Sequence, residues 1–260
     1  MKKIIIASAI VFIAANVQAQ NISSATGKKL QVATNMKMTT TVSQMGQEME
    51  IPTVGDINTD YEVKSVAGKT VSLTGTTKKI KVTVSAMGQE QTADSDDPAA
   101  ANNPQMAEAF KDVNKTKDLT VQVGKPLISS DVTGVQGTED IAAVLFFPID
   151  IKLKEGTSFS DSTTNADGSN SVSLYTVSKA TPQEITLTVA NTAKMLGTKQ
   201  QMGMEVKVNM QTASTATRVY DAASGVLKSE SKQFTSTGTN EVMGQSIPVS
   251  MKGSSTITVK

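Results

Sequence analysis

Among the 260 residues there is no cysteine, no histidine and no tryptophan, and there are only three tyrosines and six phenylalanines. Each absence closes off a class of function. Without cysteine the sequence offers no disulfide, no thiol nucleophile and no lipidated cysteine to tether an exported chain. Without histidine as well, histidine-based triads and the usual zinc sites lack their essential groups. No GxSxG elbow, Walker loop or dinucleotide fingerprint follows a strand and opens a helix. Paired carboxylates survive this elimination, since 24 acidic residues are available. Enzymes of that kind hold sugars against aromatic faces, however, and aromatics are scarce here. Charge of one sign is missing too: 25 basic residues against 24 acidic give a net charge of +1, too little to draw nucleic acid or an anionic membrane. The reading is of a non-enzyme with no cofactor and no nucleic-acid partner.

What is present begins with a secretory pattern over residues 1–19. Lys2 and Lys3 form the charged start, Ile4 to Ala15 the apolar run, and Val17-Gln18-Ala19 a small-residue cleavage site. The apolar run is short of the roughly 20 residues that a spanning helix needs. Cleavage after Ala19 leaves residues 20–260, read as a single β-rich domain that is periplasmic or secreted and not lipid-anchored. Taking Lys2 and Lys3 from the net +1 leaves −1.

Alternation then dominates. From Leu30 to Val42 the even positions read Leu, Val, Thr, Met, Met, Thr, Val against mostly polar odd ones, the period of a strand with one buried face. The same period recurs at Ile80, Val82 and Val84; Leu119, Val121 and Val123; Val172 and Leu174; Ile185, Leu187 and Val189; Met204, Val206, Val208 and Met210; and Ile247, Val249 and Met251. Ten to twelve strands follow from this, and the alternation argues against a parallel doubly wound fold. The expected fold is mainly β: a large curved antiparallel sheet or open half-barrel with one or two short helices. One helix is expected over Pro104–Val113, with Asn103 as N-cap and Pro104 at the first position. For Asp140 to Phe146 a short helix competes with a buried strand over Ile141 to Phe147.

Three features invite a chemical reading. "DSDD" (Asp94, Asp96, Asp97) offers oxygen ligands to calcium, and Thr163, Asn165, Asp167, Gly168 imitate a calcium loop, but Leu174 stands where that loop needs a bidentate acid. Solvated turns explain both stretches better, with Asp167-Gly168 supplying a hairpin turn. Methionine pairs at Met36/Met38, Met45/Met49 and Met202/Met204 have the soft sulfur that binds Cu(I). They also take the apolar side of the strand pattern, where flexible methionine suits a core or an adaptable apolar pocket.

The third feature is the repeated Met-Gly. At Met45-Gly46 a two-residue hairpin sets Gln44 against Gln47, Val42 against Met49, Thr40 against Ile51 and Met38 against Thr53, a consistent apolar register. At Met87-Gly88 the pairs are poorer. At Met243-Gly244 the same turn sets Asn240 against Ile247 and Gly238 against Val249, which predicts a bulge or wider turn instead. The echo between about 30–66 and 222–260 suggests an internal strand-hairpin duplication.

The stretches "MGQEMEI", "YEVKSVAGKTVSL", "FFPIDIKLKEGTSF" and "TRVYDAASGVLKSES" resemble a family of uncharacterised exported proteins of Gram-negative bacteria, a domain of unknown function. The resemblance implies β-structure and no established catalytic residues. In architecture the expected sheet looks like the envelope carriers of lipoproteins and lipids. The functional expectation is therefore a non-catalytic envelope protein that binds an apolar ligand, a lipid for example, or another envelope protein on a sheet face. Met36, Met38, Val42, Met49, Val82, Val84, Met204, Val206 and Met210 would line that face. A structural or surface-interaction module, or a cryptic carboxylate enzyme, remains as an alternative.

Overall fold

The alternating segments become eleven strands: β1 (Lys29–Gln44), β2 (Gln47–Ala67), β3 (Thr70–Ala86), β4 (Gln89–Asp94), β5 (Thr116–Gln122), β6 (Ser158–Thr164), β7 (Asn170–Ala180), β8 (Glu184–Gln201), β9 (Met204–Asp221), β10 (Leu227–Val242) and β11 (Gln245–Val259). One described helix, α1 (Thr138–Val144), stands between β5 and β6. The computed structural model describes residues 25–44, 46–86, 88–97, 99, 110–123, 138–147, 153–201 and 204–260. The secretory segment 1–19 lies outside them, as does most of the helix expected over Pro104–Val113. Of that stretch, Phe110 is helical and Lys111 to Val113 form a turn, with Val113 N–H donating to Phe110 O at 3.0 Å.

All strands join one open antiparallel sheet in the order β4-β3-β2-β1-β11-β10-β9-β8-β7-β6. β5 shares the outer edge of β3 with β4. The handover falls at a bulge in β3: Thr77 O accepts from Asn114 N–H at 2.8 Å and Ile80 O from Ser95 N–H at 2.9 Å. Two meanders are thus sewn together by β1 and β11, from Val32↔Val259 to Val42↔Val249. The stretches 30–66 and 222–260 form hairpins that lie side by side across this seam.

One face of the sheet carries the main core. Leu30, Val32, Tyr61, Val63, Val71, Leu73, Val177, Ile185 and Leu187 are buried there, together with Ile141, Ala142 and Leu145 from and after α1. The scarce aromatics are pooled in the same place. Phe147 meets Tyr220 at 5.2 Å and Phe159 at 6.3 Å, and Phe159 stacks on Tyr175 at 4.9 Å. Such pairs add about 0.5–1.5 kcal/mol beyond the area they bury, so a chain with few rings gains most by clustering them. The segment expected as either helix or strand does both in turn. α1 runs to Val144, then Phe146 bridges Val226, with Phe147 N–H donating to Gly225 O at 2.9 Å.

The Met-Gly sites correct the sequence reading. The terminal pairs Gln44↔Gln47, Ala86↔Gln89, Gln201↔Met204 and Val242↔Gln245 leave two residues between them, and those residues are Met-Gly every time. The register that looked wrong, Asn240↔Ile247 with Gly238↔Val249, is the one adopted. Met45, Met87 and Met202 lie outside the described residues. At the described turn Met243 has φ 51 and Gly244 φ 77, the positive pair that a two-residue type I′ hairpin requires. Glycine accepts this freely, whereas methionine does not, and Met243 is 81 % exposed. Met243→Asn is therefore expected to raise the thermal unfolding midpoint, by about 1 kcal/mol of relieved backbone strain. A lowered midpoint would mean that the exposed methionine makes a stabilising contact.

Candidate functional site

Cross-strand register places eight of the nine residues expected at the apolar surface, all but Met204, on the core face of the sheet. In β1, Met36 and Met38 follow the buried Val32 and Thr34 at period two, and Val42 continues the line. Their partners in β2 are Gly55, Thr53 and Met49, and those of Gly55 and Thr53 in β3 are Val82 and Val84. Beyond the seam, Met210 faces Gly238, which faces Val249, which faces Val42. A single row therefore crosses six strands: Met195, Met210, Gly238, Val249, Val42, Met49. Met36, Val206 and Met210 are buried, while Met38, Val42, Met49, Val82 and Val84 are half-buried. Met204 begins β9 opposite Gln201, and its side chain lies outside the description.

This row belongs to a second apolar cluster, separate from the main core. Val206, Val208, Met210 and Val249 are its buried members, with Met195, Val242 and Met251 against them. Periodicity marks Val208, Val249 and Met251 as strand residues, but only pairing brings them to the row. α1 packs on β3 and β5, at the other end of the same face. Where the row needs a close approach it uses glycine: a Cβ on Gly238 would fall 2.8 Å from Met210 Sδ, and one on Gly253 would fall 2.8 Å from Phe234 Cζ.

Within the span of the main core, flanked on β9 by Ala216 and Tyr220, sits a charged pair. Arg218 of β9 faces Glu230 of β10, and its Nε donates to Glu230 Oε2 at 2.5 Å. The Glu230 side chain is 1 % exposed and the Arg218 side chain 15 %. Burial works against the charged guanidinium, but the Glu230 carboxylate outweighs it and holds the Arg218 pKa above its ordinary value. Burial pushes the Tyr220 phenol up, keeping it neutral as it donates to Val144 O at 3.0 Å. No motif announces this pair, although the parity of Arg218 with Ala216 and Tyr220 puts it on the buried face.

β7 overturns another expectation. Val172 and Leu174 do not join the core; they are 46 % and 49 % exposed on the opposite face, while Ser171 and Ser173 are buried. Tyr175 and Val177 anchor the strand's parity in the core, and period two then forces the serines inward. Asn191 Nδ2 satisfies them, donating to Ser171 Oγ at 2.8 Å and Ser173 Oγ at 2.9 Å. Val172 and Leu174 instead border an open groove of about 670 Å³ across β7 to β11, which also has Ala190, Ala213 and Phe234 in its lining.

The candidate calcium ligands are engaged within the chain. Asp94 Oδ1 accepts from Asp96 N–H at 3.1 Å, and Lys79 Nζ reaches Asp96 Oδ2 at 2.5 Å. The Asp96 amide, ahead of Lys79, holds the Asp94 carboxyl below its usual range. In the β6–β7 loop Asp167 Oδ1 accepts from Ser169 N–H at 2.9 Å and Gly168 has φ 84, as a hairpin turn requires. No group of three or more potential metal ligands forms among the described residues.

No family model and no curated protein matches the chain. Among solved structures, lipovitellin, from a study of lipid–protein interactions, aligns with a TM-score of 0.47 and 10% identity. That alignment covers 90% of this chain, which spans only 25% of the lipovitellin chain. An outer membrane channel from Pseudomonas putida F1 aligns with a TM-score of 0.27 and 8% identity over 90% of this chain and 96% of its own. At these scores neither likeness bears on what this chain binds.

Proposed function

We propose that this is a non-catalytic, exported envelope protein that holds an apolar ligand, a lipid by class, against the methionine-rich half of its core face. The observation that carries this reading is the row from Met195 to Met49: apolar side chains from five strands and a glycine from the sixth, set on one face by register and only half-buried along β1 and β2. Flexible methionine lets such a face adapt to a chain of variable shape. The secretory pattern over residues 1–19 supplies the compartment, periplasmic or beyond. Native mass spectrometry of the protein purified from the periplasm is expected to show an adduct with the mass of a lipid, lost on delipidation. An unliganded mass, with no adduct regained on incubation with lipid extract, would sink the proposal. The groove bordered by exposed Val172 and Leu174 favours a second reading, a surface-interaction module, which the same preparation would support by retaining a protein partner in place of a lipid.

A further inference from the structure

We infer that the apolar face ends in a polar foot, made by Glu230, Ser255 and Thr34, which takes the hydroxylated, uncharged end of the ligand. The inference rests on the reading of that face as an apolar binding surface. Among the described residues, three buried side-chain atoms have no hydrogen-bond partner, and they are Glu230 Oε1, Ser255 Oγ and Thr34 Oγ1. The residues are 2 %, 4 % and 2 % exposed. They are also neighbours. Ile257 of β11 has Glu230 as its partner in β10 and Thr34 as its partner in β1. Ser255 lies two residues along β11 on the same face, diagonal to both, at a distance of roughly 7–8 Å between Cα atoms. Three orphaned atoms in one patch, in a sheet where Ser171 and Ser173 are fully served by Asn191, mark a place built for something else to bond.

The chemistry of the atoms selects the occupant. Glu230 already uses Oε2 on Arg218, so its remaining oxygen accepts a hydrogen bond and requires a donor. Ser255 and Thr34 hydroxyls each donate and accept. A ligand hydroxyl also does both, and so complements all three. A ligand carboxylate or phosphate meets Glu230 as a like charge, and a bare hydrocarbon end leaves every atom unpaired, which costs more than a made bond returns. The foot is placed to serve the apolar face. Ser255 is paired with Met36, and Gly253, Met251 and Val249 follow it along β11 on the same side, each paired with a residue of β1. Six residues from Ser255 to Val249 span roughly 20 Å, somewhat more than the ~15 Å hydrocarbon depth of one leaflet. A single acyl chain ending in glycerol has that shape.

The test uses the full-length, delipidated mature protein and three probes of equal chain length: 1-palmitoylglycerol, palmitate and methyl palmitate. Calorimetric titration is expected to show the glycerol ester binding at least about tenfold tighter than the other two. In the double variant Ser255→Ala, Thr34→Val the preference for the glycerol ester over methyl palmitate should fall at least about threefold, while Glu230 still disfavours palmitate. Its unliganded form should melt several degrees higher, because two unpaired hydroxyls are gone. Equal affinities in the unaltered protein would overturn the foot while leaving the apolar face standing; no binding of any probe would remove both. A preference over methyl palmitate that persists undiminished in the double variant overturns the foot as well. So does a variant that melts lower with its preference intact, which would assign the hydroxyls to an internal water. Should the double variant not fold, Ser255→Ala alone reads the same preference.

Discussion

Glu230→Ala is expected to cost about 3–5 kcal/mol, a large share of the roughly 5–15 kcal/mol that holds a domain together. The reason lies in what it leaves behind. Arg218 is charged at any pH that proteins tolerate, so it has no neutral form to retreat to. With Glu230 gone, its guanidinium stays buried beside Tyr220 and Ala216 with no counter-charge. The pair itself is a different matter, because desolvating two ions cancels much of their attraction. Arg218→Met combined with Glu230→Leu is therefore expected to recover most of the loss. Urea midpoints of the two variants and the unaltered protein test this directly, and a double variant as weak as Glu230→Ala would show that the pair contributes more than mutual neutralisation.

Gly253→Ala should be nearly as damaging, by steric means. A Cβ there would stand 2.5 Å from Lys37 O and 2.8 Å from Phe234 Cζ. The ring can turn, but the carbonyl belongs to β1, beside the Met38↔Gly253 pair in the middle of the seam. Moving it means prising β1 from β11, and overpacking of this sort costs about 1–3 kcal/mol or more. Gly197→Ala is the control: it lies in β8 with nothing within 4 Å of the added carbon, and its midpoint should barely move. If Phe234→Leu fully rescues Gly253→Ala, the ring was the obstacle and the carbonyl was not.

These effects mark where the sequence could be read and where it could not. Period-two alternation is a property of one strand, so it found the sheet and its core face. Pair-by-pair register is a property of two strands, and at Met45-Gly46 it predicted Val42↔Met49 and Thr40↔Ile51 as they stand. It misjudged Met243-Gly244 because Gly238 facing Val249 looks like a gap when only β10 and β11 are considered. The third strand fills it: Met210 of β9 lays its sulfur over Gly238. β7 failed for a related reason. Val172 and Leu174 show the right period, but parity is set by Tyr175 and Val177, which are packed in the main core. The polar foot needed three strands at once, since Glu230, Thr34 and Ser255 become neighbours only through β11.

The seam also fixes an order of events in the life of the chain. β2 follows β1 immediately, but the other edge of β1, from Val32 to Val42, has no partner until the stretch from Val249 to Val259 has been made and delivered. Until then a strand of 16 residues presents a free row of amides and carbonyls in the middle of the future sheet. Pairings between such distant segments form slowly. A chain stalled or cut before Gln245 therefore keeps an unpaired inner edge along β1, open to pairing with another chain.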